Sequence, residues 1–332
     1  MLVCATLLTT MSYGGVATLQ MPDFDRWNYP FNASPGARSV GSTFSSYASG
    51  YDFDNRDGQL LLGWYANTVA TPGLPPSAYV INSCTVTLTI ASDDISYDPT
   101  LDDLASYEPD GPADTDPGRP VVLSGIGFRN GWDGWTFGET GPYGEAMTSG
   151  TRNCFAIDFD SAGDARDMSN SLAQGFVPNQ FAIAETDVIT PGDIMPAYTV
   201  LQFQVDVANP DIQCYVRRAL ADGLIEFAVT SLHGASKPGG GGSPGLWPDW
   251  VFKEHALVGL GVIDAAGLTI DVIVTEPSGV EGDVDGDGVV GVNDLLRILE
   301  DFGVCPCCPT DLDDSGAVTV DDLLMLISAW GS

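Results

Sequence analysis

The chain has 332 residues, 45 of them Asp or Glu against 12 Lys or Arg, for a formal net charge of −33. That charge excludes nucleic acid and anionic membrane as partners, since both would be approached against a repulsive field. A content of 44% hydrophobic and 10% aromatic residues excludes an acidic disordered tail, while 39 Gly and 22 Pro favour short strands and tight turns in about two domains.

Residues 2–11 are apolar and lead to Gly14, Gly15, Val16 and Ala17, with small residues three and one positions before a cut after Ala17. This is the pattern of a secretory h-region and cleavage site, lacking a basic n-region, so 1–17 reads as a signal remnant, with the first strand of the fold as the other reading. No run of about 18 apolar residues follows, and no membrane insertion is expected. Strands show as period-two alternation: Val86, Leu88 and Ile90 against Thr85, Thr87 and Thr89. The same holds for Leu201, Phe203, Val205 and Val207 against Gln202, Gln204 and Asp206, and for Leu268, Ile270, Val272 and Val274. Runs with one apolar and one wet face predict an antiparallel β-sandwich over residues 18–275.

Between these strands, residues 93–120 carry nine acidic residues and five prolines. Further calcium is one reading of this loop, but its spacing fits no ligand template, so a solvated loop is expected. One helix is predicted where Asn209 caps, Pro210 takes the first turn, Ile212, Tyr215, Val216, Ala219 and Leu220 form a stripe, and Gly223 ends it. A further strand follows over 224–232, then a glycine run at 239–242. Residues 276–282 form the linker to a second domain, 283–332.

Seven cysteines are present, and loss of Cys4 with the signal leaves Cys84, Cys154 and Cys214 in the body and Cys305, Cys307 and Cys308 near the end. Three per region is odd, so full pairing requires one bridge between body and tail. Zinc at the tail cluster is the poorer reading, because His233 and His255 are the only histidines.

From Asp283 the sequence reads DVDGDGVVGVND, and 28 residues later, from Asp311, DLDDSGAVTVDD. Calcium needs six to eight oxygens at about 2.3–2.6 Å, which a 12-residue loop supplies from positions 1, 3, 5, 7, 9 and 12, with glycine at 6. The first loop offers Asp283, Asp285, Asp287, the main-chain oxygen of Val289, and Asp294; Gly291 at position 9 leaves room for water. The second offers Asp311, Asp313, Ser315, the main-chain oxygen of Ala317, and Asp322, one carboxylate fewer and hence weaker binding. The central Val290 and Val318 are placed to pair as a short β-bridge. Residues 277–332 hold 12 acidic and one basic side chain, a repulsion that two Ca2+ ions would relieve.

The duplication extends past the loops, Leu295, Leu296, Leu299, Phe302 and Gly303 matching Leu323, Leu324, Ile327, Trp330 and Gly331. Residues 283–332 resemble a type I dockerin, the duplicated EF-hand-like calcium module of secreted bacterial polysaccharide-degrading proteins. The resemblance implies a small all-α module and a cohesin partner met at the two positions before the last aspartate, here Val292 and Asn293, then Val320 and Asp321. Those positions are often Ser and Thr in the family, and the CPCCP insert between the repeats also departs from it.

The body resembles, through LLLGW at 60–64, Leu74, Pro75 and Pro76, and VTLTI at 86–90, the jelly-roll domains called DNRLRE or disaggregatase-related. These imply a non-catalytic, carbohydrate- or surface-binding role. Trp132, Trp135, Tyr143, Trp247 and Trp250 are the candidate sugar-stacking residues, since a flat ring covers the apolar face of a sugar, with plugging of the open ends of the sandwich as the other reading. Residues 241–245 match G-x-S-x-G, but a glycine run before the serine and proline after it break the strand–turn–helix context of a nucleophile elbow. No catalytic constellation is recognisable.

The expectation is therefore a secreted, non-enzymatic protein: a jelly-roll-like β-sandwich body for polysaccharide, cell-surface or matrix material, with a dockerin-like module holding two Ca2+ and meeting a cohesin-like module or a second copy. The alternatives are a structural subunit of an extracellular filament or layer, and a polysaccharide hydrolase or lyase.

Overall fold

The computed structural model describes residues 12–45, 56–107, 111–144, 152–172, 174–234, 247–277, 279–313 and 315–331. The apolar stretch 2–11 with Cys4, the glycine run 239–242 and Ser243 lie outside the described residues.

The alternation read at 85–90 and 268–274 builds two long neighbouring strands, β5 (Tyr79–Thr89) and β13 (Gly267–Thr275). They belong to an antiparallel sheet of eleven strands. Its order from one edge runs β1 (Ser12–Leu19), β13, β5, β10 (Val200–Gln204), β9 (Ala182–Glu185), β6 (Val121–Phe128), β11 (Leu224–Ser231), β4 (Gln59–Tyr65) and β2 (Phe24–Asn28). β7 (Cys154–Phe159) branches from β6 and carries β8 (Ala165–Asp167). Val86 and Leu88 of β5, with Leu268 and Ile270 of β13, share one core with Leu60 and Leu62 of β4 and Ile225 and Phe227 of β11. The sheet therefore curls until its two halves face each other, a sandwich-like arrangement.

Of the two readings of residues 1–17, positions 12–17 take the second, a strand, as part of β1. Ser12 to Leu19 pair residue by residue with β13, from Ser12 opposite Thr275 to Leu19 opposite Leu268, so the body starts at least as early as Ser12 and Ala17 lies inside a strand. The strand expected to reach Val207 stops at Gln204.

The predicted helix is α2 (Pro210–Asp222). Asn209 Oδ1 accepts the N–H groups of Asp211 and Ile212 at 3.0 and 3.3 Å, and Ile212, Val216 and Leu220 enter the main core.

A wet outer face was expected throughout, and over β4, β6 and β11 it is not found. Leu61, Val122 and Ala228 point away from the main core and are buried in a second cluster with Ile126, Phe137, Cys154, Met168 and Phe176. The three consecutive leucines 60–62 are the trace of this in the sequence, since a strand covered on both faces loses its alternation. The covering layer also buries Arg26, whose Nη1 donates to the carbonyls of Gly138 and Gly141 at 3.1 and 2.9 Å while its guanidinium lies 4.3 Å from the centre of the Phe137 ring.

Two carboxyls are enclosed with these groups. Burial pushes Asp158 up to about 8, partly offset by a backbone N–H and Arg56. Burial, with repulsion from Glu254, pushes Asp25 up to about 7 against the opposing pull of Lys253. Both hold protons in the folded chain that the unfolded chain releases near pH 4, so their stabilising contribution is whole below about pH 4 and lost as pH climbs through 7 to 8. The melting temperature is expected to fall across that interval, and Asp158→Asn to flatten the fall; a native profile level from pH 4 to 8 would contradict this.

Beyond Thr275 the chain forms two nine-residue helices, α4 (Val292–Glu300) and α5 (Val320–Ser328). The all-α expectation is corrected, because β14 (Gly303–Val304) pairs antiparallel with β15 (Ala317–Val318). Val290 and Val318 do not bridge each other. Val318 pairs with Gly303, and the Val290 carbonyl accepts the Gly331 N–H at 3.1 Å. Each loop thus binds the glycine that follows the other repeat's helix, and Val290, Ile298, Val318 and Leu326, two from each repeat, form the module's core.

Candidate metal centre

Each acidic loop is organised by its first and twelfth residues. In the first loop, Asp294 Oδ1 accepts the N–H groups of Val284 and Asp285 at 2.9 and 3.1 Å, and its Oδ2 that of Gly291 at 2.7 Å. Asp283 Oδ1 and Oδ2 accept those of Gly286 and Gly288, both at 2.8 Å. In the second, Asp322 Oδ1 accepts from Leu312 and Asp313 at 2.8 and 3.3 Å, Asp322 Oδ2 from Thr319 at 2.7 Å, and Asp311 Oδ2 from Gly316 at 2.8 Å. Apart from the Gly286 contact, whose counterpart Asp314 lies outside the described residues, these bonds coincide at the 28-residue offset of the sequence repeat. Gly288 and Gly316 have φ of +87° and +90°, the left-handed turn that favours glycine at position 6.

These bonds draw like charges together. One carboxylate oxygen from each of Asp283, Asp285 and Asp294 lies within 4.8 Å of the others, and the same holds for Asp311, Asp313 and Asp322. Oxygens around one calcium ion lie at most about 5 Å apart, given bonds of about 2.3–2.6 Å, so both sets suit a hard divalent cation. Burial raises the Asp311 carboxyl, with Asp313 and Asp322 adding to the shift against the Gly316 and Ser315 N–H groups. Burial acts upward on Asp322 as well, but the N–H groups of Thr319, Leu312 and Asp313 hold it below the usual carboxylate range.

The remaining expected ligands are less converged. Asp287 stays outside the three-carboxylate group, its Oδ1 accepting the Val289 N–H at 2.9 Å. Ser315 Oγ donates to the Ala317 carbonyl at 3.0 Å, tying positions 5 and 7 of the second loop together. Val289 is exposed.

The module is fastened to the body. Cys214 of α2 is bonded to Cys307, Cys305 to Cys308, and Cys84 and Cys154 remain as buried thiols. Arg217 Nη1 adds a hydrogen bond to the Cys307 carbonyl at 3.2 Å. Beside this junction lies a cleft of about 630 Å3, with Asp164, Asp211, Tyr215 and Glu226 on the body side and Val304, Pro306 and Ser315 on the module side.

The five candidate stacking aromatics do not share a groove. Trp250 is fully buried in the main core, its Nε1 donating to Thr43 Oγ1 at 3.1 Å, which removes it as a ligand contact. Trp132 packs edge-on to Phe137, Tyr143 lies under the Arg152 guanidinium, and Trp247 packs against Phe44. Trp135 is 52% exposed and stacks on Tyr65, itself 45% exposed, with ring centres 5.5 Å apart and an 8° interplanar angle. Its Nε1 donates to Asp222 Oδ2 at 2.7 Å. Sequence reasoning missed Tyr65, since nothing in the chain marks it as the neighbour of a residue seventy positions away.

His233 is buried without a hydrogen-bond partner for either nitrogen, and burial, with repulsion from Arg119, pushes it down to about 3. His255 caps the short helix α3 (Ala256–Gly259), its Nδ1 accepting the Leu257 N–H at 3.3 Å. Among the described residues no helix is long and apolar enough to cross a membrane.

No family model and no curated protein matches the chain. Among solved structures, a mutant of the unassembled VP1 pentamer of Washington University Polyomavirus is 9% identical over 80% of this chain and 91% of that chain, with a TM-score of 0.22.

Proposed function

We propose that the chain is an exported, non-catalytic calcium-binding protein, whose jelly-roll-like body binds polysaccharide or surface material and whose dockerin-like module attaches it to a protein partner. The observation that carries this reading is a duplicated apolar face above the two acidic loops. Val292, Leu296, Leu299 and Phe302 on the first repeat, and Val320, Leu324, Ile327 and Trp330 on the second, are each about half exposed or more. Spacings of four and three place the first three of each set on one helix face. Soluble monomers rarely leave such apolar surface uncovered, and its duplication suits a cohesin-like module that can engage either repeat. The disulfide between body and module and the one within the module fit an oxidising compartment outside the cell.

The test is binding of the full chain to a panel of cohesin modules in calcium. Leu296→Asp with Leu324→Asp is expected to weaken binding at least about 100-fold, the equivalent of about 2.7 kcal/mol, with an unchanged circular-dichroism spectrum. Equal binding by native and double-variant chains would sink the docking reading. On the body, the Tyr65–Trp135 pair is the surface for a sugar. Trp135→Ala is expected to abolish retention on polysaccharide columns while leaving the melting temperature in place, whereas Trp250→Ala should destabilise the core by roughly 3–5 kcal/mol.

A second reading, self-assembly into a filament or layer, is favoured by β1, an eight-residue edge strand whose outer side is unpaired among the described residues. Concentration-dependent sedimentation in calcium without sugar, abolished by Val16→Pro, would select it.

A further inference from the structure

We propose that the acidic loop of the body holds a third calcium ion, ligated by Asp98, Asp102 and Asp116 with the Thr100 hydroxyl beside them. Carboxylate oxygens of the three aspartates lie within 4.8 Å of one another, although no 12-residue template connects them. The site is assembled by two arms of the loop, 98–102 and 114–119. Arg119 joins these arms, its Nη1 lying 2.7 Å from both Asp102 Oδ2 and Asp114 Oδ2. Gly118, at φ +111°, permits the close return: a Cβ there would come within 2.8 Å of the Asp98 Cβ and 3.1 Å of the Ser96 carbonyl.

Proximity of acids alone would not make a site, and the second observation is what their oxygens lack. Asp98 is only 5% exposed. Its Oδ1 accepts the Thr100 N–H and hydroxyl at 2.9 and 2.7 Å, while its Oδ2 is buried with no hydrogen-bond partner. The Asp102 side chain is 1% exposed. Its Oδ2 accepts from Tyr107 Oη at 2.6 Å and from Arg119, and its Oδ1 is likewise buried without a partner. Thr100 Oγ1 lies 2.9 Å from Asp116 Oδ2 as well as 2.7 Å from Asp98 Oδ1, yet has one proton to give. An ionised carboxylate only accepts, so facing carboxylates with orphaned, dehydrated oxygens require a proton or a cation between them.

All the donors are hard oxygens on an irregular loop, which suits Ca2+ over Mg2+, whose octahedral geometry is stricter, and over the thiolate- and imidazole-seeking metals. Bound there, the ion would staple the two arms against the body, where the Tyr97 N–H donates to the Asp193 carbonyl and the Met195 N–H to the Ile95 carbonyl.

The experiment measures calcium bound to the full chain by equilibrium dialysis and its affinities by isothermal titration. Asp116 is exposed, so Asp116→Asn leaves folding intact and is expected to weaken one site at least ten-fold. Asp98→Asn with Asp116→Asn should remove one equivalent. Asp103→Asn, adjacent but outside the group, should change nothing. Asp283→Asn with Asp311→Asn removes the module's calcium independently, so one equivalent bound to that variant supports the loop site whatever the module does. The proposal is overturned if Asp116→Asn leaves both the stoichiometry and every affinity as in the native chain, or if the Asp283→Asn, Asp311→Asn variant binds no calcium.

Discussion

Chelation of calcium is expected to melt the C-terminal module while the β body stays folded. The module's core has four fully buried apolar side chains, Val290, Ile298, Val318 and Leu326, too few to hold two loops and two short helices against chain entropy. Its loops depend on carboxylates brought together against their own repulsion, with 12 acids to one base over 277–332. A cation at 100 times its Kd adds about 2.7 kcal/mol per site, and its removal returns the repulsion. Hydrogen exchange of the full chain should show the amides of Val284, Gly288, Leu312 and Gly316, all bonded to loop carboxylates, losing about 100-fold or more protection in chelator. Those of β5 and β13 should hold. Unchanged protection at the loop amides would mean that their hydrogen bonds suffice without metal.

Breaking the Cys214–Cys307 bridge is expected to release the module from the body. The bridge spans 93 residues, and the chain-entropy model assigns a loop of that size roughly 4–5 kcal/mol, with about 2–4 kcal/mol as the usual measured effect. The Arg217 contact to the Cys307 carbonyl is a single hydrogen bond and cannot replace it. Cys214→Ser with Cys307→Ser should therefore lower the denaturant midpoint of the module and enlarge the radius of gyration. Loss of Cys305–Cys308, separated by three residues, should cost much less. A double variant with the native midpoint and size would show that the bridge is dispensable.

What proved legible was local. β5 and β13 follow from strict alternation, and α2 from Asn209, Pro210 and Gly223 around an apolar stripe. The odd division of cysteines required a body-to-tail bridge only if all six paired; Cys214–Cys307 is such a bridge, yet Cys84 and Cys154 stay as thiols, and neither outcome was readable, because fifteen pairings of six thiols satisfy the same count. Segment 12–17 suited both a cleavage region and a strand, because small and apolar residues serve either. The aromatics left two readings open for a related reason: Trp135 and Trp250 look alike in sequence, and only their surroundings make one a surface and the other a core residue.

The sequence by itself determined the spacing of the tail's carboxylates, since a loop of twelve residues places its own donors and the repeat at 28 positions appears in the chain before any folding is considered. It determined, too, that the body is antiparallel β. Only the tertiary structure decided which faces are covered, which glycine each loop binds in the other repeat, and how Asp98, Asp102 and Asp116 come to share one volume. Those arrangements join residues distant in the chain, and they depend on the curvature of the sheet and the return path of its loops, quantities that no local spacing encodes.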